Sequence, residues 1–405
     1  MPQQITELLA EIARHGQTLE PDLNSGKIGS EDARDALLDA TRKLQILVTG
    51  PRRWLMGSIM NSHDGLSTLR AVSHFKIAQA IPVEGSIPIA DLAAVIKLPE
   101  QPLMRILRQL IPQMLFTEPK KGHFGHSIVS VEIARDPLLQ AWVSHNVDEL
   151  YVSGTKFVEM MEKWGDSGEP TETAFNLAYD TNDTFWEYLA KHPEVGARFG
   201  ATMKAQAADS IADSPSLEGI IPWNDLGKAT VVDLGGSIGH LGIALATHYA
   251  SLDVIIQDLP ELTAEANANI PEELKSRVQF MPHSFFDPQP VHGARIYVMR
   301  QVLHDWSDKY SLKILRNLIS VMDPRSSRIL ILDSVLPEPN TISGTQEQWN
   351  RSMDHQMYMI LRAHERSRDM WEALVAEADE RLKIVGIRKL PNSNLSVVEV
   401  AFATS

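Results

Sequence analysis

Val231-Val232-Asp233-Leu234-Gly235-Gly236-Ser237-Ile238-Gly239-His240 is the stretch on which the reading of this chain turns. An apolar run closes on an acid and a glycine cluster, and apolar residues resume at Leu241. This pattern predicts a buried strand, a tight turn and the opening of a helix. Residues without a Cβ at such a turn let a nucleotide-like ligand lie against bare backbone. The spacing of Gly235, Gly236 and Gly239 is not the dinucleotide fingerprint, and a purely structural turn reads the same way. The segments downstream of the turn give it its weight.

From Thr230 onward strand-like runs alternate with helical ones. The strands are Thr230–Leu234, Asp253–Ile256, Val278–Met281, Ala294–Met299 and Arg328–Leu332, separated by segments that include Gly239–Tyr249, Glu261–Ala268 and Tyr310–Met322. Such alternation predicts an α/β fold, a parallel sheet with helices on both faces. The end differs: Leu382–Leu390 and Leu395–Ala403 flank the polar loop Pro391-Asn392-Ser393-Asn394, which predicts an antiparallel hairpin.

The first half reads mostly helical. A short amphipathic helix is marked by Leu8, Leu9, Ile12 and Ala13, a second spans Ala33–Val48, and a third apolar face runs over Leu66–Ala80. Ile89–Ile96 and Gln101–Leu110 come next as helices, then Met114–Glu118 and His123–His126 as strands around the turn Pro119–Gly122. Helix, helix, helix, hairpin is the order of a winged helix. Arg105, Arg108, Lys120 and Lys121 raise DNA binding as a reading, but four scattered bases on an acidic chain fit a solvated face or a subunit contact better. Pro137–Met161 reads as one long helical stretch, with helices again near Thr184–Tyr188 and Val195–Met203. The clearest linker is Gly165–Pro170, giving domains 1–165 and 166–405.

The 405 residues can bury a sizeable core, and the net charge of −14 argues against a nucleic-acid partner. The absence of cysteine excludes disulfides, thiolate metal sites and thiol nucleophiles. Met1–Leu9 does not read as a secretory signal, and no apolar run approaches the roughly 20 residues that span a bilayer. A soluble cytoplasmic protein with neither membrane nor metal is the expectation.

Ligands of parallel sheets sit beyond the carboxyl ends of the strands. The first strand ends in Asp233 and the glycine turn. The second ends at Gln257-Asp258, about 20 residues past the glycines, where a carboxylate suits ribose hydroxyls. A helix N-cap before Leu259-Pro260 explains Asp258 equally well. The third ends at His283-Ser284-Phe285-Phe286, a place for an adenine to meet an aromatic face, with Phe286 better read as core. The fourth ends in Arg300, followed by Leu303-His304-Asp305-Trp306-Ser307-Asp308.

With these runs and His364-Glu365-Arg366, the chain resembles the class I S-adenosylmethionine-dependent O-methyltransferases of the caffeic-acid type, in particular their fungal secondary-metabolism branch. The resemblance covers nearly the whole length, and Leu-His-Asp-Trp-Ser-Asp is its most specific motif. It implies a Rossmann-like methyltransferase sheet ending in a hairpin, preceded by a helical winged-helix domain that forms a homodimer. It implies S-adenosylmethionine held by Asp233, Gly235, Gly236, Gly239, Asp258, Leu259, Ser284, Phe285 and Arg300, with S-adenosylhomocysteine as product. His304 is the implied base toward an aromatic or polyketide-derived hydroxyl, flanked by Asp333 and Glu365, and Trp306, Met353, Met357 and Leu361 line the acceptor site. A phenol with a pKa near ~10 needs such a base at neutral pH, for about 10² to 10⁴ in rate. Asp305 and Asp308 read as helix-start residues, and a plain helix core also explains the stripe Met353, Met357 and Met359.

The pattern departs from the family in places. Ser284 stands where an aspartate is usual, Asp333 where the plant enzymes have a glutamate, and Arg362-Ala363-His364 where a glycine-lysine pair precedes the glutamate. Some fungal relatives keep the fold and the sulfonium but act as pericyclases on polyketide-derived pyridones. Methyl transfer, a pericyclic role and a non-catalytic binding protein therefore remain as readings, ranked in that order.

Overall fold

The computed structural model describes residues 2–25, 29–207, 214–391 and 393–403; Met1 and the loop residue Asn392 lie outside the described residues. Two compact units are present, one built from residues 1–156, 186–205 and 339–349, the other from 157–185, 206–338 and 350–405. The sequence reading places a single boundary at 165/166. No local composition signals that the segments 186–205 and 339–349 pack with the first unit.

In the first unit the opening helices run over Pro2–Asn24, Glu31–Thr49 and Pro51–His74, longer than the apolar faces alone predict. Pro51 starts the third helix at a position where its missing N–H costs nothing. Helices Ile89–Ile96 and Glu100–Leu110 lie among the short strands β1 (Ile87–Pro88), β2 (Phe116–Lys120) and β3 (His123–His126), which pair antiparallel in the order β1-β3-β2. Leu103, Leu107 and Leu110 share one helix face and pack with Ile77, Leu92, Phe116 and Phe124. Arg108 is held by both oxygens of Glu118, at 2.8 and 2.6 Å, so one of the four suspected DNA-binding bases is neutralised inside the unit. The expected long helix over 137–161 is interrupted. After Pro137–His145 a π-helical turn, Asn146–Leu150, carries the buried Glu149, whose carboxylate takes His145 Nδ1 at 3.0 Å and the guanidinium of Arg198. Polar pairing of this kind leaves no trace in apolar periodicity.

The second unit is built on β4 (Ala229–Leu234), β5 (Leu252–Asp258), β6 (Val278–Pro282), β7 (Ile296–Arg300), β8 (Arg328–Leu336), β10 (Leu382–Lys389) and β11 (Leu395–Phe402). Their order is β10-β11-β8-β7-β4-β5-β6, and the two-residue β9 (Arg366–Ser367) adds in parallel to the end of β8. β4 to β8 pair in parallel, while β11 is antiparallel to both β8 and β10. Successive side chains of a strand point to opposite faces. Accordingly Val231, Ile296, Val298 and Leu330 join one core with Leu241 and Leu245, whereas Val232, Tyr297, Met299 and Ile331 join the other with Ile314, Leu315 and Leu374. Both faces are thus covered by helices, as the uninterrupted apolar runs require. This is the sheet that the resemblance implies. Among the described residues no helix is long and apolar enough to cross a membrane.

Candidate active site

The carboxyl ends of β4, β5, β6 and β7 share one rim, and the glycine turn lies at its centre. Gly235 and Gly239 have φ of +67° and +91°, and a Cβ there would sit 2.8 Å from Val302 Cγ2 and 2.6 Å from Ile256 Cδ1. A side chain is excluded at both positions by backbone strain as well as by space. The N–H groups of Gly235 and Gly236 donate to the carbonyl of Gln257 at 2.8 and 3.1 Å, which ties the turn to the end of β5. Asp258 completes the tie: its Oδ2 accepts the Ser237 N–H and its Oδ1 the Leu259 N–H, each at 2.7 Å. The cap reading is not met, because the short turn Pro260–Leu262 has Leu259 as its N-cap with no side-chain bond; Asp258 instead ties Ser237 and Leu259, and each carboxylate oxygen keeps a further lone pair. Leu259 itself is exposed.

Beneath the turn Asp233 is buried and accepts the N–H of Gly242 at 3.1 Å. Burial pushes its carboxyl up to about 7, against that hydrogen bond and the charge of Arg300. Arg300, at the end of β7, has a buried Nε without a hydrogen-bond partner among the described residues. Ser284 bonds within its own loop. Its hydroxyl oxygen accepts the N–H of Phe286 at 3.3 Å and shapes the loop after β6. Phe285 packs 3.7 Å from where a Gly235 Cβ would be, and Trp306 meets Phe285 and Phe286 edge-on at 6.0 and 4.6 Å between ring centroids. The Trp306 ring thus belongs to the aromatic cluster beside the turn.

His304 is positioned from the end of β7. Gln301 donates its N–H to Leu332 at 3.0 Å, then a positive φ of 52° turns the chain into the short 3₁₀ helix Leu303–Asp305. That turn presents the His304 ring to three carboxyl groups. Nδ1 lies 2.9 Å from Glu365 Oε1, and Nε2 lies 3.4 Å from Asp305 Oδ1. Asp333, fully buried on β8, supplies the third charge, and neither of its carboxylate oxygens has a hydrogen-bond partner among the described residues. Burial alone would lower the His304 pKa, but Asp305 and Glu365, with Asp333 behind them, raise it to about 10. Burial pushes Asp305 up to about 7 and Asp333 to about 6, each held back by the imidazolium.

Asp305 corrects the sequence reading. The helix begins at Asp308, and Asp305 turns inward to His304 instead of starting it. Two further residues escaped that reading. Arg366 is buried; it donates to the carbonyls of Leu303 and Trp306 at 2.9 Å each, to Ser311 Oγ at 3.1 Å and to Asp308 at 2.7 and 3.0 Å. It grips the backbone on both sides of His304-Asp305. His364 at 3.3 Å, together with the pair with Arg366, holds the Asp308 carboxyl well below its usual range. Asp354 accepts the Glu365 N–H at 2.9 Å and fixes the carboxylate that in turn fixes His304. The only available signal was that these residues neighbour the motifs. Met353 and Met357 are half-buried on the same helix as Asp354, and Leu361 at its end is buried. Arg362 occupies a left-handed position (φ 55°) and donates to the Glu172 carbonyl at 2.6 Å and to Tyr358 Oη at 2.8 Å, a structural use of the family departure.

A family model for the O-methyltransferase domain matches residues 160–379, which span the glycine turn, His304, Asp333 and Glu365. The chain belongs to the O-methyltransferase family. As such a protein it is 37% identical to the O-methyltransferase VdtC of Byssochlamys spectabilis, over 91% of this chain and 86% of that one. Among solved structures this family member resembles OxaC in complex with SAH and oxaline, with a TM-score of 0.81, 23% identity and coverage of 98% and 99% of the two chains. It also resembles a protein described as a pericyclic reaction enzyme, with a TM-score of 0.76, 24% identity and full coverage of both. The fold of this O-methyltransferase-family chain is therefore one on which both chemistries occur.

Proposed function

We propose that this protein transfers a methyl group from S-adenosylmethionine to a hydroxyl oxygen of an aromatic or polyketide-derived small molecule. The observation that carries the reading is the His304 ring, fixed through Nδ1 by Glu365 just beyond β7, on the rim that bears the glycine turn. The rim suits the donor. Side chains are excluded at Gly235 and Gly239, Asp258 has lone pairs for ribose hydroxyls, and the unpartnered Arg300 Nε and buried Asp233 suit the charged amino-acid end. Gly236, Leu259, Ser284 and Phe285 complete the assignment to the donor. When bound, S-adenosylmethionine supplies an electrophilic methyl carbon, and S-adenosylhomocysteine is what remains.

The chain's own residues orient the acceptor and remove its proton. His304 meets the acceptor oxygen, Glu365 sets the ring plane, and Asp333 stabilises positive charge on the ring. Trp306, Met353, Met357 and Leu361 shape the acceptor side, thioethers being well suited to flat irregular ligands. Alignment of oxygen and methyl carbon contributes much of the remaining acceleration. Residues 1–165 serve as the contact between two copies, a role supported by the exposed Leu55, Met56, Ile59 and Met60 on helix Pro51–His74.

One observation favours a second reading. An imidazole flanked by carboxylates is a hydrogen-bond donor, which also suits polarising a pyridone carbonyl in a pericyclic step. Product mass separates the two. Incubation with labelled S-adenosylmethionine and polyhydroxylated aromatic acceptors is expected to add one methylene unit, whereas an unchanged mass with altered connectivity supports the pericyclase.

A further inference from the structure

The guanidinium of Arg362 is buried without an acid beside it. The residue is 2% exposed and follows the helix Gly344–Leu361, in the segment that leads to Glu365. Its Nε donates to the Glu172 carbonyl at 2.6 Å and its Nη1 to Tyr358 Oη at 2.8 Å, while its Cζ lies 5.1 Å from the centre of the Tyr358 ring. None of these partners is a carboxylate. Among the described residues Nη2 is buried with no hydrogen-bond partner, and no acid pairs with the guanidinium. Arg366, just as deeply buried, has the compensation that Arg362 lacks, since Asp308 meets it at 2.7 Å. A buried positive charge without a counter-charge is unfavourable, and so is a buried N–H group without an acceptor.

The backbone is also strained to hold the residue there. Its φ of 55° suits glycine, and the chain departs from the family pattern at this position. In chain order Arg362 stands between Met357 and Leu361, which shape the acceptor side, and Glu365, which orients the His304 ring. From the buried, unpaired Nη2 at this place, and resting on the acceptor reading above, we infer that Arg362 binds a carboxylate of the acceptor. The preferred acceptors are then aromatic or polyketide-derived acids.

A carboxylate supplies both things that are missing. Nη2 carries two N–H groups, and a carboxylate oxygen brings lone pairs and a negative charge together. A ketone or ester oxygen would satisfy the N–H groups and leave the charge unbalanced. Glu172 does not fill the role, because only its main-chain carbonyl meets Arg362, while its carboxylate takes the Ser167 hydroxyl. The planar fork of arginine allows this division of labour: two nitrogens anchor the side chain to the protein and the third is left for the ligand.

The test is equilibrium binding to the full-length protein saturated with S-adenosylhomocysteine. Isothermal titration compares a dihydroxynaphthoate with the dihydroxynaphthalene that lacks only its carboxylate. Wild type is expected to bind the acid about ten- to hundred-fold more tightly. In Arg362→Met this preference should vanish, in Arg362→Lys part of it should survive, and S-adenosylhomocysteine affinity should be unchanged in both. A wild-type protein that binds the acid no more tightly than the neutral compound overturns the inference, and this comparison decides even if R362M fails to fold. An undiminished preference in R362M overturns it as well, as does a variant with a lower Tm that weakens both ligands alike, the mark of a purely structural arginine. Mass analysis of the same ligands after incubation with S-adenosylmethionine keeps the two readings apart. An acid that is preferred in binding but gains no methyl group overturns methyl transfer alone, whereas a methyl group added to the neutral compound as readily as to the acid overturns the inference alone.

Discussion

Asp258 accepts a 2.7 Å hydrogen bond from the main-chain N–H of Ser237, a residue held at a φ of 51°. The last residue of β5 thereby fixes the loop after β4, and the rim is pre-shaped before any ligand arrives. Hydrogen bonds to charged groups contribute ~1.5–3 kcal/mol each. Asp258→Ala is therefore expected to weaken S-adenosylhomocysteine binding by about one to two orders of magnitude. Isothermal titration measures this directly, and an affinity within two-fold of wild type would remove Asp258 from the donor site.

Arg366 acts through the backbone that carries His304. Arg366→Ala leaves the Leu303 and Trp306 carbonyls without their buried donor, and the expected loss of stability is ~1–3 kcal/mol for each, read as a lower Tm. Arg366→Lys keeps the charge but cannot span Leu303, Trp306 and Asp308 at once. In that variant kcat should fall more than ten-fold with KM within about two-fold, because the reacting groups shift while the acceptor surface does not. A change in KM alone would make Arg366 a structural residue and nothing more.

The pH dependence has a definite sign. Asp333 gains its proton as pH falls through about 6 and Asp305 through about 7, so turnover should rise with pH across that interval. At the alkaline end His304 loses its ring proton near about 10, which frees the ring to take the acceptor's proton, so activity should keep rising toward that pH. Groups this tightly linked titrate together, so the limbs belong to the cluster. A kcat/KM profile from pH 5 to pH 10 resolves the rise.

Gly235→Ala tests the turn. The left-handed backbone costs a residue with a side chain ~1–2 kcal/mol, and the new methyl group meets Val302 Cγ2 at 2.8 Å. Donor affinity and Tm should both fall, and because Val302 lies two residues before His304, kcat should fall as well. A fully active variant would show that the turn tolerates a side chain.

Much of this was legible in the sequence because it rests on periodicity and on glycine. The strands from Val231 to Leu332 are buried on both faces and read as continuous apolar runs, and Gly235 and Gly239 stand where only glycine fits. The polar devices were less legible. Asp305 looks like a helix-start residue, since aspartate before a helix usually is one; only the 3₁₀ turn after Gln301 aims it at His304. Arg366 and Asp354 act over 58 and 11 residues of separation, on Asp308 and Glu365 respectively, and no spacing rule connects them. The π-helical turn at Asn146–Leu150 is hidden for the same reason, because it is organised by Glu149 pairing with Arg198, 49 residues away.

The place of β11 has a consequence for biogenesis. Residues 395–402 lie between β8 and β10, so the strand that comes after all its sheet neighbours in the chain fills an interior slot. Until it emerges from the ribosome, both of those neighbours present open edges to other nascent chains, a hazard for aggregation that edge-strand placement would have avoided. Nascent polypeptide halted before residue 395 should therefore depend on chaperones to a degree that the finished protein does not.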